Sequence, residues 1–364
     1  MRNKRIILAC LGLAVLCILV LSILQFGNGN RKDTVKIGFI MSGSINEDGW
    51  NGMHYAGVSE AAKELNVELI VKENVLEFTG ECEKAIKELS DEGASMVILS
   101  SYGYSEEVHD IVSKYPDIVF YGNSSEYHES NLTSYFVRMY QARYLSGILA
   151  GLRTNTNQIG YVAAMENNEV NRGINAFTLG VRSVNPDATV IVKWTGLWDD
   201  AQGEEEAVNT LIEERNIDVI TYHQNQPNVI FAAEKAGIDS IGYHMAVEGV
   251  SDHMLTAVVC DWKLTYEELI KEFLQGNGNA SRNYWIGMEK EVIGLSSYSE
   301  SVSESEKEAI ESAKQNILSG REIFSGRIYD NQGTQRCGED EIISDEVLLE
   351  QMNWFVEGVE IYEK

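Results

Sequence analysis

The sequence predicts an α/β protein made of two parallel-sheet lobes with a cleft between them. Short Val- and Ile-rich runs alternate with segments of helical periodicity, and this alternation runs through two series of similar length. No low-complexity segment or long linker separates the series, which favours interleaved lobes joined by several crossings. Repeated β-α-β units make the strands parallel and cover both faces of each sheet with helices. In sheets of this kind ligands bind outside the carboxyl ends of the strands.

The first series has strands at 35–41, 67–71, 96–100 and 118–122, with helices at 48–65, 79–92 and 105–115 between them. The helix at 79–92 shows the pattern well. Cys82, Ala85, Ile86 and Leu89 share one face, Glu81, Lys84, Lys87 and Glu88 the other, and Gly93 supplies the stop. The pattern then begins again with a strand at 132–137. The helix at 140–153 follows, and its Ala142, Gly147, Ala150 and Gly151 allow close packing. Strands at 159–164, 189–194, 218–222, 240–243 and 255–260 alternate with helices at 171–184, 200–215, 228–236 and 265–274. The C-terminal part reads as a charged amphipathic helix at 304–319, a strand at 324–330 entering a turn at Asn331-Gln332-Gly333, and a last helix at 345–356.

Ahead of the first strand, residues 6–24 form a nineteen-residue apolar run preceded by Arg2, Lys4 and Arg5. The run is long enough to span a bilayer, and the positive flank places the remainder on the extracytoplasmic side. No Ala-x-Ala site follows, and little apolar chain precedes Cys10, so an uncleaved anchor is favoured over a cleaved or lipidated form. Residues 27–32 then act as a tether, and 1–32 form one anchoring unit. The net charge of −27 excludes a nucleic-acid partner, because attraction to phosphate needs a basic face. Beyond Cys10 and Cys17, only Cys82, Cys260 and Cys337 remain, too few and too unpatterned for a disulfide framework or a zinc motif.

Catalytic signatures are lacking: no Gly-x-Ser-x-Gly, no phosphate-binding loop, no His-Glu-x-x-His and no Gly-x-Gly-x-x-Gly. No metal or cofactor motif is present, and the reading is of a non-enzyme. The strand ends carry instead a recurring residue class. Trp50 and Asn51 follow the first strand, Tyr102 the third, and Trp198, His223, Tyr243 and Asp261 stand beyond strands of the second series. Each alone has an ordinary structural explanation as a core cap, a turn residue or a satisfied histidine. Repeated at equivalent strand ends, rings among amides and carboxylates suit a flat ligand with a hydrogen-bonding edge.

Residues 42–51 (Ser-Gly-Ser-Ile-Asn-Glu-Asp-Gly-Trp-Asn), 100–104 (Ser-Ser-Tyr-Gly-Tyr) and 140–147 also resemble a known family. The most specific stretch is 171–180 (Asn-Arg-Gly-Ile-Asn-Ala-Phe-Thr-Leu-Gly), followed by Ser183-Val184-Asn185-Pro186. Trp198-Asp199 and Phe324-Ser325-Gly326 extend it. These residues resemble the basic membrane protein family, the substrate-binding components of ABC importers related to the purine nucleoside receptor.

The resemblance covers about 35–330 and implies a type I periplasmic-binding fold: two Rossmann-like lobes, a three-stranded hinge and closure around a ligand. It divides the chain into 33–138 with about 262–282 for one lobe, and 139–261 with about 283–364 for the other. It places Trp50 as the ring that stacks on a purine. The carboxylate that contacts ribose in the family has no counterpart in Ile241-Gly242-Tyr243-His244-Met245, so a free base is implied as readily as a nucleoside.

The expectation is a purine base or nucleoside held between Trp50 and Trp198, with Tyr102, Tyr140, Asn171, His223 and Asp261 at its edge. ABC permease subunits are the implied partners. A ligand-sensing receptor of the same fold, or less readily a nucleoside-processing enzyme, are the alternatives. A transcriptional regulator would need a helix-turn-helix where the apolar run stands.

Overall fold

The structure, a computed structural model, describes residues 34–47, 49–125, 127–276 and 283–363. The expected anchor and tether at 1–32 lie outside the described residues. Among the described residues no helix is long and apolar enough to cross a membrane.

Two sheets carry the fold. The first contains β1 (Lys36–Ile40), β2 (Glu68–Lys72), β3 (Met96–Leu99), β4 (Val119–Asn123), β5 (Leu132–Val137) and β11 (Tyr284–Ile286), in the order β11-β5-β4-β3-β1-β2. Every neighbouring pair in it is parallel. The second contains β6 (Gln158–Ala163), β7 (Thr189–Trp194), β8 (Val219–His223), β9 (Asp239–His244), β10 (Met254–Cys260), β12 (Ile293–Leu295) and β15 (Val359–Ile361), in the order β12-β10-β9-β8-β6-β7-β15. Only β12 runs antiparallel to its neighbour. A small hairpin of β13 (Ile328–Tyr329) and β14 (Gln335–Cys337) completes the strands.

The helices of the first lobe are α1 (Trp50–Glu64), α2 (Glu81–Asp91) and α3 (Tyr102–Val112). The predicted face of α2 is buried, and Gly93 at φ 87° takes the left-handed conformation that ends it. Gly38 on β1 makes room there, since a Cβ would stand 2.6 Å from the Leu89 Cδ1. The second lobe has α4 (Met139–Arg153), α5 (Asn168–Val184), α6 (Ala201–Arg215) and α7 (Asn228–Ala236). Helices α4 and α5 cross almost backbone to backbone. A Cβ on Gly147 would meet Phe177 O at 2.0 Å, and one on Gly180 would meet Tyr144 O at 2.1 Å. This crossing fixes the start of α5, which carries part of the site.

Among the described residues three crossings join the lobes: β5 into α4, β10 into α8 (Trp262–Leu274), and β11 into β12. They are tied together by Arg138 N donating to Ile286 O (2.7 Å), Trp285 Nε1 to Val137 O (3.2 Å) and Asp261 N to Val292 O (2.7 Å). Because β11 pairs with β5, the last crossing lies between Ile286 and Ile293, slightly beyond the expected position near 283.

Three expectations about elements need correction. The strand 132–137 opens no second series; it is buried along its whole length and pairs with β4, as an interior strand of the first sheet does. The expected strand 324–330 shrinks to β13. The expected helix 345–356 ends early, as α10 (Asp345–Glu350), after the amphipathic α9 (Glu304–Leu318). Beyond it the backbone is claimed by side chains of α5: Asn171 Nδ2 donates to Met352 O, and Asn175 Nδ2 to Trp354 O, both at 2.9 Å. The Asn175 Oδ1 accepts from Val356 N at 2.9 Å, and the chain continues into β15, which pairs with β7.

Candidate functional site

The loop after β1 delivers the first-lobe wall. Glu47 and Ser42 brace it through Asn51, whose Nδ2 donates to Glu47 Oε1 (2.5 Å) and whose Oδ1 accepts from Ser42 Oγ (3.3 Å). Gly49, at φ 104°, then turns the chain into α1 with Trp50 as its first residue. Trp50 is only 9% exposed, and its indole N–H donates to Ser100 O at 3.0 Å. Its ring centroid lies 4.0 Å from that of His54, 5.6 Å from Trp262 and 6.5 Å from Phe136. His54 in turn stacks 3.7 Å from Trp262, and its Nδ1 meets the Tyr266 hydroxyl. Burial holds the His54 pKa well below the usual histidine value, so this wall is uncharged at neutral pH.

The second-lobe wall is polar. Asn167 caps α5 by accepting from Val170 N at 2.9 Å, and Glu169 sits in the first turn, where the helix dipole favours a carboxylate. Glu169 Oε1 lies 3.3 Å from His223 Nε2, which is 3.1 Å from the Tyr243 hydroxyl. Beneath them Arg143 is fully buried. Its guanidinium stands 3.7 Å from the Tyr243 ring centroid and donates to Tyr222 O at 2.8 Å and Thr221 Oγ1 at 3.3 Å. Arg172, also buried, donates to Leu348 O at 2.7 Å.

Burial opposes ionisation of Glu169. The His223 hydrogen bond and the charges of His223, Arg172 and Arg143 outweigh it, so the carboxyl titrates below the ordinary range. Burial lowers the His223 pKa, and the Glu169 hydrogen bond offsets this only in part. The pair is therefore a carboxylate facing a neutral imidazole. A carboxylate only accepts, so Nε2 carries the proton. His244 ends β9 in the left-handed region at φ 68°, with its ring centroid 3.6 Å from that of Tyr243 and 4.7 Å from that of Trp50 across the lobes. Burial holds its pKa well down too. The buried Nδ1 atoms of His223 and His244 have no hydrogen-bond partner.

Between these walls lies a cleft with about 360 Å³ of empty space, part of it open to solvent. The first lobe contributes Trp50, Ser101, Tyr102 and Asn123; the second contributes Glu169, Trp198, His223, Gln224, Asn225 and His244. The lobes are closed on each other, and Trp50 N donates to Asn225 O at 3.2 Å. Among the described residues no group of three or more His, Cys, Asp or Glu is arranged to hold a metal ion.

Of the nine residues expected at the ligand, Trp50, Tyr102, Trp198 and His223 line this cleft. The other five do not. Asn51 is engaged in the Glu47–Ser42 brace. Tyr140 is buried against Trp285 and Phe324, its hydroxyl accepting from Arg138. Asn171 holds the C-terminal segment through Met352 O. Tyr243 stands behind His223, packed on Arg143. Asp261 caps α8, accepting from Leu264 N at 3.0 Å, on the hinge. Ser101, Asn123, Glu169, Gln224, Asn225 and His244 line the cleft without having been selected. Ser101, Asn123, Gln224, Asn225 and His244 stand at or just past a strand end, and Glu169 stands in the first turn of α5. Position alone does not give side-chain direction, which reverses at every residue of a strand and is set by packing in a loop or helix turn.

Residues 34–327 match the model of the Bmp family, described as ABC transporter substrate-binding protein PnrA-like. A purine-binding protein of Brucella abortus is 30% identical over 338 residues, covering 92% of this chain and 95% of its own. A Haloferax volcanii protein named for glucose binding in an ABC transporter is also 30% identical, covering 92% of this chain and 82% of its own. Among solved structures, an ABC transporter solute-binding protein from Aeropyrum pernix superposes with a TM-score of 0.68 at 17% identity, covering 79% of this chain and 92% of that one. That structural likeness bears on the fold, and the two sheets with three crossings are the type I periplasmic-binding architecture. The family match spans most of the chain, and the chain belongs to the Bmp family of ABC transporter substrate-binding proteins.

Proposed function

We propose that the cargo is a purine base or nucleoside, carried to ABC permease subunits on the extracytoplasmic face by a chain anchored through residues 1–32. One observation carries the reading: Trp50 and Trp198 reach a single cleft from opposite lobes, with imidazole and amide groups around them. Rings on two sides suit a flat π-system, and the polar groups of Asn123, Gln224, His223 and His244 suit its nitrogen-rich edge. The name of the Brucella relative, purine-binding, agrees with this; that of the Haloferax relative, glucose-binding, gives the competing ligand class. A free base is favoured over a nucleoside. The end of β9 offers His244 rather than a carboxylate for ribose, and Glu169 is engaged by His223.

Calorimetry of the purified chain against adenine, hypoxanthine, guanosine and glucose tests the reading. Binding of at least one purine with no heat from glucose is expected. Heat from glucose alone, or from none of the four, overturns it without touching the family assignment.

A further inference from the structure

We infer that Gly49 and the Asn225 peptide form a closure latch that couples the two tryptophans. The inference rests on the cleft as the ligand site. The Trp50 N–H crosses the lobes to Asn225 O at 3.2 Å, and the N–H of the same Asn225 donates to Trp198 O at 2.9 Å. One residue thus links the backbones of the two rings that line opposite sides of the cleft. The Trp198 side of the link is braced further. In the amide orientation that satisfies both its ends, Gln224 donates to Leu197 O (2.9 Å) and Trp198 O (3.2 Å) and accepts from Thr195 Oγ1 (2.7 Å).

Closure to this distance depends on Gly49. A Cβ there would stand 2.1 Å from Asn225 O and 3.3 Å from Gln226 Oε1. The obstruction at 2.1 Å is backbone, which cannot swing aside as a side chain would. Gly49 also sits at φ 104°, where an L side chain is strained. A glycine immediately before the stacking residue is therefore needed twice, to aim Trp50 and to admit the opposite lobe. In the open state the Trp50 N–H, as the first amide of α1, has no intrahelical acceptor and returns to water. Closure gives it one, and brings Trp198 in with it, because the Asn225 N–H, on the loop after β8, holds the Trp198 carbonyl on the loop after β7. A ligand between the rings and the latch across the lobes thus favour the same closed state, the latch doing so even without ligand, and residue 49 sets whether closure completes.

The test is hydrogen–deuterium exchange of the full chain at peptides spanning Trp50, with and without adenine, in the native sequence and in Gly49→Ala. Adenine is expected to slow exchange of the Trp50 amide at least tenfold in the native chain. In Gly49→Ala that protection should vanish, while adenine still binds with a Kd raised tenfold or more. A variant that closes and binds like the native chain overturns the latch. So does a native Trp50 amide whose exchange is unaffected by adenine although calorimetry shows adenine bound. Should Gly49→Ala fail to fold, that native-chain comparison decides alone. If no purine gives heat, the ligand reading fails separately. The latch is then judged in the ligand-free chain, where Gly49→Ala must speed Trp50 amide exchange; unchanged exchange overturns it.

Discussion

On the first lobe the cleft is walled by rings that rest on rings: Trp50 on His54, and His54 on Trp262 and Tyr266. On the second it is walled by a hydrogen-bonded charge network of Glu169, His223, Tyr243 and Arg143. The first wall gains its order from dispersion and area removed from water, which are non-directional and tolerate a range of flat ligands. The second gains its order from directed bonds in a low-dielectric interior, where each partner is costly to lose. On the purine reading proposed above, a ligand's face is met by the two tryptophans and its edge by directed polar groups, most of them on the second lobe. Specificity within a ligand class is then set chiefly by the second lobe, and affinity for flat rings by both tryptophans.

The largest expected effect comes from Trp50→Ala, which removes both a ligand-facing ring and a core ring. Its contacts with His54, Trp262 and Phe136 put it among buried aromatics, whose truncation costs about 3–5 kcal/mol of stability. Loss of stacking should weaken purine binding by a further ~1–3 kcal/mol. Urea unfolding and calorimetry read the two separately. A stability loss under about 1 kcal/mol would mean that the first wall is not the packed unit described.

Next is Glu169→Gln, which keeps the shape of the second wall and removes its charge. Among the buried groups around it, Glu169 is the carboxylate that acts on His223, and it faces two guanidiniums, Arg143 and Arg172. Removing one partner from a buried ionic network costs about 3 kcal/mol. Since Glu169 raises the His223 pKa, the variant should also lower it further, which an NMR titration of the His223 ring would follow. An unmoved His223 would break the assignment of the pair.

Acid should separate the walls more gently. Burial lowers the pKa of His54, His223 and His244 below the ordinary 6.5, while Glu169 partly restores only His223. A histidine depressed in the folded state binds its proton more readily when unfolded. Stability is thus full above pH 6.5 and falls as pH drops below it, towards the folded-state values. The carboxyl of Glu169, depressed below 4.5, adds its own loss only at lower pH. The urea midpoint should therefore decline between pH 7 and 5, less steeply in His54→Gln than in His223→Gln. A flat profile to pH 5 would contradict the neutral, buried state of these rings.

The same contrast explains how much the sequence disclosed. Periodicity placed the ten strands and eight helices of the two series within a few residues, because alternating burial writes itself directly into residue order. Trp50, Tyr102, Trp198 and His223 were found because strand ends are legible and rings are conspicuous there. Glu169 was hidden in a run of amides and acids at 166–169, and only the α4–α5 crossing decides which of them turns inward. Strand β15 was missed because Val359–Ile361 is too short to show a period. The extended path of 351–356 was missed because Asn171 and Asn175, far away in sequence, hold it.

Asp261 gives the smallest effect and the sharpest check on which residues belong to neither wall. From sequence it stands past a strand end beside Trp262, as an edge contact would. In the structure its Oδ1 accepts from Leu264 N at 3.0 Å and its backbone N–H is tied to Val292 O, on a crossing between the lobes. An N-cap of this kind is worth about 1 kcal/mol, so Asp261→Ala should lower stability by that amount. Because α8 carries Trp262 and Tyr266 behind the first wall, some looser packing of His54 follows, but Trp50 keeps its hydrogen bond to Ser100 O. Purine affinity should therefore stay near the native value while urea stability falls. A tenfold loss of affinity at unchanged stability would return Asp261 to the ligand and redraw the first wall through the hinge.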